Sequence, residues 1–218
     1  MKWVQDLFKE SARDFFIFVR QHFLLLALVQ VLMEFPNLVL DILSGQSTEP
    51  RWEIAVIHMF WTVIIELVFL SLIAPLFKAD KEGQVFHYRQ HLRRYGRDLT
   101  AEYVRYMGIT FIGFLLLILP AIYFSVIFIF VPYIALFDPN YEKGEVNALE
   151  RSREMTRGRL FPLFLCICFS AFITQIWDFL KIYGNPALYA LALLLTLMAR
   201  VYTQIFWFKA YNLLGGKT

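Results

Sequence analysis

Apolar residues gather into five stretches, at about residues 22–43, 54–77, 107–137, 160–182 and 186–208, with polar and mostly basic segments between them. Four of these are close to the roughly 20 apolar residues that a helix needs to cross about 30 Å of hydrocarbon. The third is different: 107–137 runs 31 residues without a charge and holds Pro120 near its middle. It is too long for one crossing and tight for two. Proline lacks an amide hydrogen and disfavours helix at the residue before it, so the run is predicted to turn near Pro120. The second arm, 121–137, reaches about 25 Å, and the first, 100–119, reaches about 30 Å only by borrowing polar residues. Asp98 or Thr100 is the expected N-cap of the first arm. The tip is expected at or just below the far interface, covered by neighbouring helices, because lipid cannot satisfy irregular backbone.

Charge decides between one crossing and a hairpin. Lys78, Lys81, Arg89, Arg93, Arg94, Arg97 and Arg105 precede the run, and Lys143, Arg151, Arg153, Arg157 and Arg159 follow it. Basic residues accumulate in short cytoplasmic loops, and only a hairpin keeps both of these segments on that side. The reading is therefore an all-α polytopic membrane bundle of six transmembrane helices, at about 22–43, 54–77, 100–119, 121–137, 160–182 and 186–208. Both termini are cytoplasmic, and of 21 Lys and Arg only Arg51 and Lys181 fall outside. Trp52 and Trp177 then mark outer ends of spans, while Trp207 and Tyr211 mark an inner one.

Composition agrees. Hydrophobic residues are 59% of the 218 and charged ones 18%, against about 45 to 50% and about 25% in soluble domains. One membrane domain fills a chain of this length, without room for a separate catalytic domain. The N-terminus is amphipathic with mixed charges, unlike a cleavable signal peptide. Cys166 and Cys168 sit two apart in an apolar run, project to different sides of a helix, and read as small buried hydrophobes.

Two cytoplasmic stretches show helical amphipathy. Val4, Leu7, Phe8, Ser11 and Phe15 share a face with Asp6, Lys9, Arg13 and Asp14 largely off it, which predicts an interfacial helix over 1–20. Val85, Tyr88, Leu92 and Tyr95 repeat the pattern beside four arginines. Basic and aromatic residues together also suit nucleic acid, but beside membrane spans they serve anionic lipid headgroups, and nucleic acid is not an expected partner. His87 and His91 are four apart with only Glu82 near in sequence, too little for a metal site. A third helix is predicted over 143–158, where Ala148, Ser152 and Thr156 place small side chains on one face. Gly158 would end it in a left-handed conformation, with Arg157 and Arg159 at the carbonyl end of its dipole.

Leu119-Pro-Ala-Ile-Tyr123, Val131-Pro132-Tyr-Ile-Ala-Leu136 and Ala148-Leu-x-x-Ser152-x-x-x-Thr156-x-Gly158-Arg159, with Tyr211-x-Leu213 ending the last span, resemble the YciC-like bacterial membrane proteins. The membrane domain attached to some glycerophosphodiester phosphodiesterases is similar. Ala121 stands where the family usually has Gly. The resemblance implies a six-helix bacterial inner-membrane protein of largely unassigned activity. It gives structural weight to Pro120, Pro132, Ala148, Ser152, Thr156, Gly158 and Arg159. No phosphodiesterase motif is present, so that activity does not transfer.

Within the spans lie Glu34, Glu66 and Arg200, with His58 at the depth of Glu34. Charged groups at such positions are costly enough to be functional candidates. Glu66 lies 11 residues from Phe77, and Arg200 lies 9 from Lys209, so their matched depths predict a pair, made directly or through Tyr202 or Gln204. Glu34 adjoins a kink expected at Pro36. No convergent nucleophile, metal triad or carboxylate pair is visible, so neither an enzyme nor a cofactor is expected. The function read here is that of an envelope-associated or partner-binding membrane component, contacting lipids, another membrane protein or a second copy. The alternative is a small lipid or solute transporter using Glu66 and Arg200. A single interrupted apolar run, without repeat symmetry, weighs against transport.

Overall fold

The computed structural model describes residues 2–45, 52–116, 118–177 and 185–215, and among them every regular element is an α-helix. In chain order these are α1 (Lys2–Gly45), α2 (Trp52–Glu82), α3 (Tyr88–Leu116), α4 (Ile118–Ile127), α5 (Val131–Phe137), α6 (Pro139–Glu142), α7 (Ala148–Thr156), α8 (Leu160–Gln175) and α9 (Pro186–Gly215). Four segments of the described chain are long and apolar enough to cross a membrane: Trp3–Pro36, Phe60–Glu82, Ile118–Phe137 and Ala187–Gly215. A fifth arises if α7 and α8, bent by 103°, are taken as one.

The first correction concerns the N-terminus. The interfacial helix over 1–20 and the span over 22–43 are one helix of 44 residues. No Gly or Pro occurs before Pro36, so nothing in the chain breaks it. At about 66 Å it is twice the thickness of a hydrocarbon layer. Its amphipathic face docks on protein: Leu7 and Ser11 are buried, and Phe8 lies 5.0 Å from Phe169 and 4.7 Å from Phe206, ring centre to ring centre.

The first arm of the charge-free run is likewise longer than expected. α3 starts at Tyr88, so Asp98 and Thr100 are interior rather than capping, and Thr100 Oγ1 donates back to the Gly96 carbonyl at 2.7 Å. Val85 and Leu92, expected on an interfacial face, are not covered by protein. The second arm is shorter and divided: α4 and α5 are separated by a turn at 128–130. Pro120 sits in the first turn of α4, where the missing amide costs no helical bond. α3 and α4 pack closely on each other. A Cβ added at Gly113 would come within 3.0 Å of the Ala121 backbone and 2.8 Å of Phe124, so only glycine permits that approach.

Other boundaries shift by less. α2 extends the 54–77 span to Glu82, and α9 extends the 186–208 span to Gly215. The helix expected over 143–158 begins only at Ala148, because Gly144 turns the chain at φ +74° and Asn147 caps the new helix by accepting from Leu149 N at 3.0 Å. α8 is described to Gln175, and the 178–182 end of its expected span lies outside the described residues. Cys166 is buried, but Cys168 is exposed, since i and i+2 face opposite sides of α8. Trp207 and Tyr211 are buried against Phe130 rather than lying in an interfacial belt.

α9 is central, packing on α1, α2 and α8. Phe18, Phe69, Phe130, Phe206, Ile73 and Ile134 are fully enclosed. The outer surface is apolar too: Leu24, Leu116 and Leu119 are 83%, 67% and 77% exposed. Such a surface requires lipid or another apolar partner.

Candidate functional site

α1, α2 and α9 are joined through Arg200. Its Nη1 donates to Glu34 Oε1 at 2.8 Å and to Gln30 Oε1 at 3.3 Å, while its Nε lies 3.3 Å from Glu66 Oε1. Gln30 Nε2 in turn donates to Glu34 Oε1 at 3.2 Å, and the guanidinium sits over the Phe69 ring at 5.6 Å. Gln30 and Glu34 are one turn apart, so they present a single polar notch on α1. The Glu66–Arg200 pairing is visible at matched depth in the sequence. Glu34 and Gln30 were missed as partners because the sequence does not give the register of α1 against α9. The side chain of His58 lies outside the described residues.

A second cluster ties the same three helices near their polar end. Asp14, 4% exposed, contacts Lys81 Nζ at 2.6 Å and Lys209 Nζ at 2.7 Å, and His22 Nε2 lies 2.6 Å from Asp80 Oδ2. Sequence reasoning placed Asp14 off the buried face. The signal available was its spacing, seven after Leu7, three after Ser11 and four before Phe18, all of them buried.

The sequence motif acts at the break between α4 and α5. Pro132 cannot donate to the Phe128 carbonyl, and Val131 N bonds it instead at 3.1 Å. That shift strips the Ile127 carbonyl of its helical donor. α7 supplies the replacement: Ser152 Oγ donates to Ile127 O at 2.7 Å and accepts from Phe130 N at 3.3 Å, and Thr156 Oγ1 reaches Ile127 O at 3.5 Å. Ala148, Ser152 and Thr156 are fully buried, as the close approach requires. Gly158, at φ +75°, then ends α7, and the guanidinium of Arg159 donates to Met155 O at 3.5 Å. The small face expected to receive another element thus receives the broken helix itself. Tyr133 on α5 donates to Gln204 on α9 at 2.8 Å, carrying the junction into the central helix.

Farther out, Arg94 Nε donates to Glu142 Oε1 at 2.9 Å and Tyr141 Oη donates to Glu102 Oε1 at 3.2 Å. These bonds fix α6 on α3. The phenol of Tyr141 is pushed up to about 12, by burial first and then by Glu102. His91 is held below its usual value by burial, with Lys78 adding to the effect. Among the described residues no three His, Cys, Asp or Glu side chains converge as a metal site. The chain matches no family model, no curated protein and no solved structure.

Proposed function

We propose that the chain is a multi-pass protein of the bacterial inner membrane, YciC-like in its motifs. On this reading it is a non-catalytic, envelope-associated or partner-binding component, with both termini and its basic face cytoplasmic. Its partners are anionic lipids and a membrane protein or a second copy. The observation that carries this reading is the use made of the polar residues in the apolar core. Arg200 with Glu34, Gln30 and Glu66, Ser152 and Thr156 with Ile127, and Tyr133 with Gln204 each join separate helices. These are the bonds of a scaffold.

The hairpin belongs to the same proposal. The charge-free part of the first arm, 107–116, is ten residues or about 15 Å, and the second arm continues through α4 and α5 to 137. Exposed Phe111, Phe114, Leu115 and Leu116 make its tip apolar. We read α3 and α4–α5 as the two short passes of the six, entering and leaving from the cytoplasmic side with the tip at or just below the far interface. Either a re-entrant tip or one reaching the far interface keeps both termini on one side.

A test uses single cysteines in a C166A/C168A background and an impermeant maleimide on intact cells. Cysteine at Arg97 should label only after permeabilisation, and at Thr48 without it. Labelling of Arg97 in intact cells would overturn the topology, and labelling of Ile118 as fast as Thr48 would overturn the buried tip. Proteins and lipids that copurify in mild detergent test the partner role, which fails if stringent washing leaves the chain alone and monomeric.

A second reading, a lipid or solute transporter, is favoured by one observation: two carboxylates meet one guanidinium on three different helices. Replacing Glu66 and Arg200 together by Leu separates the two readings. Selective loss of flux in a folded protein supports transport, and full complementation excludes it.

A further inference from the structure

A cavity of about 400 Å³ opens between α4, α7 and the start of α8. Tyr123, Ile127 and Leu160 form its apolar wall, and Arg153, Arg157 and Glu154 its polar one. Arg153 in the last turn of α7 and Arg157 at its C-cap both line this volume. Among the described residues neither has an ion-pair partner, whereas neighbouring Arg151 lies 3.7 Å from Asp138 and 3.5 Å from Glu154. Glu154 is thus engaged by Arg151, and the lining carries a net positive charge of one, with both Arg153 and Arg157 free to meet an anion. The amino end of α8, a 16-residue helix, adds positive dipole at Leu160.

The apolar wall continues outward. Tyr123, Ile122, Leu160 and Phe161 are 48%, 37%, 37% and 65% exposed, so the cavity runs into the apolar outer surface of α4 and α8. A small soluble anion would need the arginines but not this wall. An amphiphile with an anionic phosphate head and an acyl tail matches both.

We propose that this cavity binds an anionic phospholipid, with Arg153 and Arg157 holding the phosphate and the α4–α8 surface receiving the first acyl segment. The proposal rests on the membrane reading above and gives its lipid contact a place. Planar guanidinium groups suit phosphate oxygens, and the low dielectric beside the apolar wall strengthens the contact. The 103° bend at Gly158 is what puts the arginines on one side and the lipid-facing helix on the other.

The test titrates the purified full chain in neutral detergent with phosphatidylglycerol, counting bound lipid by native mass spectrometry. R153Q/R157Q should weaken retention of one phosphatidylglycerol by at least roughly tenfold. R89Q/R93Q, an equal charge loss on α3, should leave it unchanged, and R153K/R157K should restore part of it. Equal loss in both glutamine pairs would reduce the effect to diffuse surface charge and overturn the site. Unchanged retention in R153Q/R157Q would do the same. Displacement by millimolar inorganic phosphate would make it a free-anion site rather than a lipid one. Helicity and melting temperature measured without added lipid must match wild type, and single R153Q serves if the pair fails to fold. Because binding is read on purified protein, its failure is distinct from failure of the topology, which the labelling experiment reads in cells.

Discussion

Replacing Ser152 by Ala tests the account of the broken helix most directly. Ser152 Oγ makes two buried bonds at once, to Ile127 O at 2.7 Å and from Phe130 N at 3.3 Å. Without the hydroxyl, Phe130 N–H has no partner, which costs about 1 to 3 kcal/mol. Ile127 O keeps only Thr156 at 3.5 Å, adding about 1 kcal/mol. S152A should therefore lose about 2 to 4 kcal/mol. Reversible unfolding in mixed micelles measures it, with Trp207 fluorescence as a local reporter because its ring lies 6.0 Å from that of Phe130. The cause is tested by a cycle with P132A. An amide at 132 can return to Phe128 O, which frees Val131 N for Ile127 O and Phe130 N for Val126 O, so Ser152 is no longer needed. The cost of S152A should then fall below about 1 kcal/mol, a coupling of about 1 to 3 kcal/mol. An S152A cost under about 0.5 kcal/mol, or the same cost in both backgrounds, refutes the reasoning.

Two further predictions concern charge. R200M strands Glu34 and Glu66 and should cost about 3 to 5 kcal/mol, while E34L/E66L/R200L should recover most of it, since removing a buried ion cluster whole is far less costly than breaking it. A triple variant less stable than R200M would contradict the clasp. His91 lies between Phe86 and Tyr95, with Lys78 and Glu82 facing the same pocket, and its lowered value means the folded chain prefers the neutral ring. Stability from this group is complete above the unfolded value near 6.5 and is lost as pH falls through the lower folded value. H91F should flatten the melting-temperature profile between pH 7 and 5, and an unchanged slope rules out this contribution.

Much of this protein is legible along the chain because its signals are local. Apolar runs announce long helices without reference to contacts, the Gly158 stop shows as a left-handed turn, and the small face of Ala148, Ser152 and Thr156 shows as a spacing of four. Depth counted from basic flanks was enough to suggest Glu66 beside Arg200, a contact observed at 3.3 Å. Boundaries were harder to read. Composition changes at residues 20 and 100, but nothing there breaks the backbone, so α1 and α3 run through both positions.

The sequence by itself determined the helical class and the apolar character of the long segments, because hydrophobic length and helical periodicity act over a few residues. Only the tertiary structure decided what each bend and charge meets. Pro132 dictates that a carbonyl will lose its donor, but not that Ser152, 20 positions later, supplies another. Likewise Glu34 and Arg200, separated by 166 residues, become partners because α1 and α9 pack side by side. A hydrogen bond depends on distance in space, and across separations of that length no pattern in the chain encodes it.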